Sequence, residues 1–99
     1  MAGVSQIMKI KVKFFATFRE LFGGAVKEIE LENRSTIQDL LNLLCDSRRC
    51  RQEIFDHSGK LRRYIKVLKN GRHIEFLDGI HTELEEGDVV AVFPAVAGG

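Results

Sequence analysis

Asp88-Val-Val-Ala-Val-Phe-Pro-Ala-Val-Ala-Gly-Gly99 is the stretch from which the rest of the chain can be read. Val89 to Phe93 is an unbroken apolar run, the pattern of a strand inside a sheet. Val90 and Val92 take one face, and Val89, Ala91 and Phe93 take the other. Phe93 precedes the only proline and is therefore biased to extended backbone. Beyond Pro94, the residues Ala95 to Gly99 would reach roughly 17 Å when extended. The final Gly98-Gly99 has two readings. It is a frayed terminus, where glycine is common, or it presents its carboxylate for chemistry, since an end without side chains threads into a narrow channel of another protein. Residues 94–99 are expected to form a flexible tail, with Pro94, Ala95, Val96, Ala97 and Gly98 as the part that threads and Gly99 as the reactive end.

Working outward, Glu86-Gly87-Asp88 turns the chain into that last strand. Residues 78–87 form a polar connection anchored by Ile80 and Leu84. Before it, Asn70-Gly71 separates two apolar runs, Tyr64 to Lys69 and Arg72 to Leu77, and Asn-Gly in that setting predicts a hairpin. His57-Ser58-Gly59-Lys60 is a turn whose glycine spacing does not fit a phosphate loop. Ile37, Leu40, Leu41 and Leu44 recur on one face of a helix, capped by Ser35 with Gln38 or by Thr36 with Asp39. A second short helix is expected to carry Ile54 and Phe55.

At the start of the chain, Met8, Ile10, Val12 and Phe14 alternate with Lys9, Lys11 and Lys13, which is a half-buried strand. Phe15 shares the lysine face yet is aromatic. Ala16 to Phe22 has helical spacing, and Gly23-Gly24 stops it. A second strand follows from Ala25 to Glu32, with Ile29 and Leu31 inward and Glu28, Glu30 and Glu32 outward. The order is strand, strand, helix, strand, strand, strand. That order implies an α+β fold, a mixed sheet with one main helix packed on one face. For the first and last strands to be central neighbours they must run parallel, which is the β-grasp, or ubiquitin-like, arrangement. Met8, Ile10, Val12, Phe14, Ile29, Leu31, Ile37, Leu40, Leu41, Leu44, Val67, Val90 and Val92 should form one core.

Ninety-nine residues make a single domain, with residues 1–7 expected as a flexible lead-in. With 44% hydrophobic residues, 29% charged and a net charge of +1, the composition gives no nucleic-acid footprint and no reason for a membrane surface. No apolar run approaches the roughly 18 residues of a membrane span, and the compartment is expected to be cytoplasmic. Cys45 and Cys50 do not make a disulfide framework and offer no metal-ligand spacing. Cys45 falls on the apolar side of the main helix as a small core residue. Cys50 sits among arginines that could lower its pKa. If the first and last strands are adjacent, Phe15 and Phe93 make one exposed apolar patch beside the root of the tail. Arg19 and the nearby lysines could pair with acidic residues on a partner.

Three segments resemble the small sulfur-carrier proteins of the molybdopterin synthase small-subunit (MoaD-like) family, relatives of the thiamine sulfur carrier (ThiS). They are Lys11-Val-Lys-Phe-Phe-Ala-Thr-Phe-Arg-Glu-Leu-Phe-Gly23, Thr36-Ile-Gln-Asp-Leu-Leu41, and Asn70-Gly71 followed by Leu84-Glu-Glu-Gly-Asp-Val-Val-Ala-Val-Phe-Pro-Ala-Val-Ala-Gly-Gly99. The first separates the molybdopterin branch from the thiamine branch, whereas Ala-Gly-Gly at the end also occurs in thiamine carriers. Residues 47–63 match nothing in the family pattern.

The resemblance implies chemistry at Gly99. An E1-like adenylating enzyme uses ATP to make a C-terminal acyl-adenylate, and sulfur displaces AMP to leave a thiocarboxylate. The thiocarboxylate then donates sulfur to a pterin precursor in the large subunit of molybdopterin synthase. Nucleotide, metal and catalytic groups belong to those partners, so this chain is expected to bind no cofactor or metal and to have no self-contained active site. The competing reading is a ubiquitin-like modifier, in which a lysine of a target protein attacks the activated Gly99. A thiamine-pathway carrier is a third.

Overall fold

The alternation of the opening residues has a direct structural counterpart. In the computed structural model, which describes residues 6–95, strand β1 (Ile7–Phe14) buries Met8, Ile10, Val12 and Phe14 and exposes its lysines. It is followed by α1 (Phe18–Phe22), β2 (Val26–Glu32), α2 (Ile37–Leu44), α3 (Arg48–Ile54), β3 (Ile65–Lys69), β4 (Arg72–His73) and β5 (Val89–Pro94). The five strands form one sheet in the order β2-β1-β5-β3-β4. β1 and β5 are central and parallel, with Lys11 opposite Val89 and Phe14 opposite Val92, while the other pairs are antiparallel. This is the β-grasp arrangement that the element order implies.

α2 packs its apolar stripe on one face of the sheet, and Ile37, Leu40 and Leu41 are fully buried. Its start is fixed by Thr36, not Ser35. The Thr36 hydroxyl accepts from the Asp39 amide, and the Asp39 carboxylate accepts from the Thr36 amide at 2.9 Å, a reciprocal capping box. The hairpin turn adopts the conformation that Asn-Gly favours, with φ +52° at Asn70 and +85° at Gly71. α1 ends at Gly23, whose φ of +80° is the left-handed C-cap conformation.

The structure corrects several expectations. Ile7 and Pro94, assigned to the lead-in and the tail, belong to strands: Ile7 pairs with Glu32 and Pro94 with Ile65. The strand expected over residues 72–77 pairs for only two residues. Ile74 turns down into the core, and the chain coils into a 3-10 turn at Ile74–Phe76. Lys66 and Glu75, which a continued ladder would bring together, meet only through their side chains at 3.8 Å. Ile29 and Leu44 pack against the core but are half-buried, because Ile29 lies on the edge strand β2 and Leu44 is the last residue of α2. Phe18 and Phe22 join the core instead, with Phe22 stacked on Phe14 at 4.4 Å between ring centroids.

The cysteines are the largest correction. Cys45, the C-cap of α2, and Cys50, in α3, are joined by a disulfide, and both are buried. Five residues of separation suffice because the chain reverses between the two helices, bringing the Cα atoms to 5.2 Å. Cys50 therefore points into the core, away from the arginines that flank it in sequence.

Candidate partner face and tail root

The side of the sheet opposite α2 is open. Strand register places Lys13, Ala91 and Leu68 side by side on it, with Phe93 beside Lys66. Phe15 follows the last residue of β1, and its ring meets that of Phe93 edge-on, with centroids 6.2 Å apart and planes at 88°. Such a T-shaped contact is a favourable aromatic geometry. The two rings form a shallow depression with Ala16, Leu68, Ala91 and Pro94, so that its whole lining is apolar. Phe15 remains 41% exposed although it has found an aromatic partner. Ala16 holds a φ of +56°, a left-handed conformation that costs an L-residue roughly 1–2 kcal/mol. That conformation carries the chain from β1 into α1 while leaving Phe15 outside.

Phe15 and Phe93 are together, as expected. Arg19 lies on α1 with its Nε donating to the Phe14 carbonyl at 3.3 Å, which holds the guanidinium next to the Phe15 backbone. Pro94 is the last residue of β5 and lines the patch. The Ala95 amide donates to the Tyr64 carbonyl, so the backbone is still held one residue past the strand. Val96, Ala97, Gly98 and Gly99 lie outside the described residues.

Two features of the site have no simple signal in sequence. Tyr64 is a clasp at the tail root: its carbonyl accepts from Ala95 and its hydroxyl donates to the Glu53 carbonyl at 3.1 Å, tying β5 to α3. Leu68 supplies an apolar wall whose exposure becomes evident only once β3 is registered against β5. At the other end of β5, Asp88 sets where the strand begins. Its Oδ1 accepts from Asn70 Nδ2 at 2.9 Å and its Oδ2 from the Glu85 amide at 2.8 Å, while Asn70 Oδ1 accepts from the Val89 amide at 2.9 Å.

The depression on this face is apolar, with lysines around it: Lys11 and Lys13 on β1, Lys66 on β3. Its chemistry is that of a docking surface beside a chain end. Among the described residues no helix is long and apolar enough to cross a membrane.

A five-stranded mixed sheet with parallel central strands and an apolar patch beside an outgoing C-terminal segment defines a ubiquitin-like, β-grasp protein. The profile of the ThiS family matches residues 12–99, and the chain belongs to that family of ubiquitin-like sulfur carriers. It is 38% identical over 92 residues to small archaeal modifier protein 3 of Haloferax volcanii, covering 93% of this chain and all of the relative. It is 33% identical over 93 residues to a protein of Archaeoglobus fulgidus described as a sulfur carrier, again covering 93% of this chain and all of the other. Among solved structures, a Pyrococcus furiosus protein described as subunit 1 of a molybdopterin converting factor superimposes with a TM-score of 0.71 at 33% identity, covering 90% of this chain and 99% of that one.

Proposed function

We propose that this chain carries sulfur as a thiocarboxylate on Gly99 and, as the small subunit of a cytoplasmic molybdopterin synthase, donates it to a pterin precursor. A carboxylate at neutral pH is a poor electrophile, so activation must come first. A Gly99 carboxylate oxygen attacks the α-phosphorus of ATP in an E1-like enzyme and pyrophosphate leaves. Hydrosulfide-equivalent sulfur then attacks the acyl carbon, AMP leaves, and the thiocarboxylate remains. The observation that carries this reading is the Phe15–Phe93 pair, which sets an exposed apolar contact surface beside Pro94 and Ala95. A partner docked there would receive Val96 to Gly99 into its own active site. The molybdopterin assignment rests on the opening Phe14-Phe-Ala-Thr-Phe-Arg-Glu-Leu-Phe-Gly23 motif and is supported by the Pyrococcus likeness. The test is the intact mass of the chain purified from its own cells under conditions that preserve thiocarboxylates. Sulfur in place of one oxygen at Gly99 is the expected result, together with sulfur transfer to the pterin precursor when the large subunit is added.

The likeness to small archaeal modifier protein 3 favours a second reading, in which Gly99 forms isopeptide bonds with lysines of other proteins. Adducts of higher mass that survive thiol treatment, and that disappear when Gly99 is deleted, would establish it. The two readings share the activation step and differ only in the nucleophile that follows.

A further inference from the structure

Residues 48–63 hold six of the chain's fifteen Lys and Arg residues and only two of its fourteen Asp and Glu residues. This stretch carries +4 in a chain whose net charge is +1, so the remainder is acidic. The fold concentrates the charge further. Arg48 and Arg51 on α3 and Arg62 before β3 line one open groove together with His57. Two of the three guanidiniums are held in place by uncharged contacts. Arg51 lies over the Phe55 ring, 5.1 Å from its centroid, and donates to Asn42 Oδ1 at 3.2 Å. Arg62 Nε donates to the Gln52 carbonyl at 2.8 Å. The one carboxylate in the groove, Asp56, is occupied by its own turn, where its Oδ1 accepts from the Ser58 amide and hydroxyl and from the Lys60 amide. Among the described residues the ion pairs are Lys66–Glu75 and Lys69–Asp88, and neither lies in this groove. Three arginines thus share one surface with a single carboxylate, Asp56, which offsets only part of their charge and leaves a net positive groove that the anions of a partner would balance.

Tyr64 links the elements that carry the groove to the tail root. Tyr64 stands two residues from Arg62, its hydroxyl bound to the Glu53 carbonyl on α3 and its carbonyl to the Ala95 amide. The geometry points to a second docking surface: the Arg48, Arg51 and Arg62 groove binds a carboxylate-rich surface on the adenylating enzyme that takes the tail, flanking the channel mouth. This rests on the proposed activation of Gly99. The apolar patch supplies desolvated contact, and the arginine groove supplies orientation and encounter rate, the usual division between interface core and charged rim. The contacts that orient Arg51 and Arg62 suit the planar, bidentate pairing that arginine makes with carboxylates.

The test is ATP–pyrophosphate exchange with the E1-like enzyme of the same organism, measured against carrier concentration at low and high salt. Arg48→Glu/Arg51→Glu should raise the half-saturating carrier concentration by about tenfold or more at low salt with little change in maximal rate. It should also flatten the salt dependence, since exposed charges are screened over about 10 Å at 0.1 M. The Arg48→Lys/Arg51→Lys/Arg62→Lys variant keeps the charge but not the bidentate fork, and should bind more tightly than the Glu variant and less tightly than the parent while keeping the parent's salt dependence, which separates loss of charge from damage to α3. An Arg→Glu variant that folds and saturates like the parent at both salts would overturn the groove alone, leaving Gly99 activation standing. A parent chain that neither binds the enzyme nor supports exchange would overturn the carrier reading and this proposal with it.

Discussion

Asp88 is a 6% exposed carboxylate with every near neighbour a donor. Besides Asn70 and the Glu85 amide, the Lys69 ammonium stands 3.5 Å from its Oδ2. Removing the carboxylate would leave those donors facing a space from which water is largely excluded, which costs about 1–3 kcal/mol per orphaned group. Asp88→Ala should therefore lower stability by at least that much in urea unfolding, and Asp88→Asn by less, because one acceptor remains. A fully stable Asp88→Ala would mean that the Asn70–Asp88 link does not fix the start of β5. Asp56 gives a pH-dependent case at the surface. Hydrogen bonds from the Ser58 hydroxyl and the Lys60 amide hold its pKa below the ordinary 3.8. A depressed carboxylate stabilises the fold fully above its unfolded pKa, and that contribution is lost as pH falls through the lower folded value. The Asp56 carboxyl resonance should titrate below 3.8, and Ser58→Ala should move its midpoint upward. An unchanged midpoint would remove the Ser58 hydroxyl as the main cause.

At the scale of elements, α2 is the piece whose loss the sheet cannot tolerate. Leu41 is fully buried between helix and strands, and Leu41→Ala should cost about 2–5 kcal/mol in equilibrium unfolding. A variant as stable as the parent would refute the placement of Leu41 in the core. Elements with a clean period were legible in sequence: the alternation of β1, the one-face leucines of α2 and the Asn70-Gly71 turn all lie where the pattern puts them. β4 was not legible, because Arg72 to Leu77 has a strand-like composition that tertiary packing overrides by pulling Ile74 into the core. The Cys45–Cys50 bond was hidden for a similar reason. Spacing alone does not show that the chain reverses between α2 and α3. At the candidate site, Phe15 and Phe93 were legible because each breaks the polarity expected of an open sheet face. Tyr64 and the arginine groove were not, since both are assembled by turns that bring distant segments together.

For the whole molecule, the separation between what holds the fold and what would perform the chemistry sets the strongest tests. Every buried core side chain among the described residues lies between Met8 and Val92. Phe15→Asp/Phe93→Asp changes only the open face and should leave the fold intact. It should weaken binding to both the adenylating enzyme and the large subunit, because it places charges where apolar contact would be desolvated. A pull-down unaffected by the double variant would eliminate the patch as the docking surface. Deleting Gly99, or adding residues after it, should likewise leave the thermal midpoint nearly unchanged, yet abolish ATP–pyrophosphate exchange. The reacting carboxylate must sit at a fixed depth in the enzyme's channel, and one residue displaces it by roughly 3.3–3.6 Å. Misplacement by about 1 Å can already cost 10²-fold in rate. Gly98→Val keeps the carboxylate in register but adds a β-branched side chain that stiffens the backbone and crowds the channel, so its exchange rate should fall between the parent and the deletion. Equal exchange by parent and Gly99 deletion would show that the terminal carboxylate is not the reactive group. The carrier and modifier readings would then fall together, since both pass through the same acyl-adenylate.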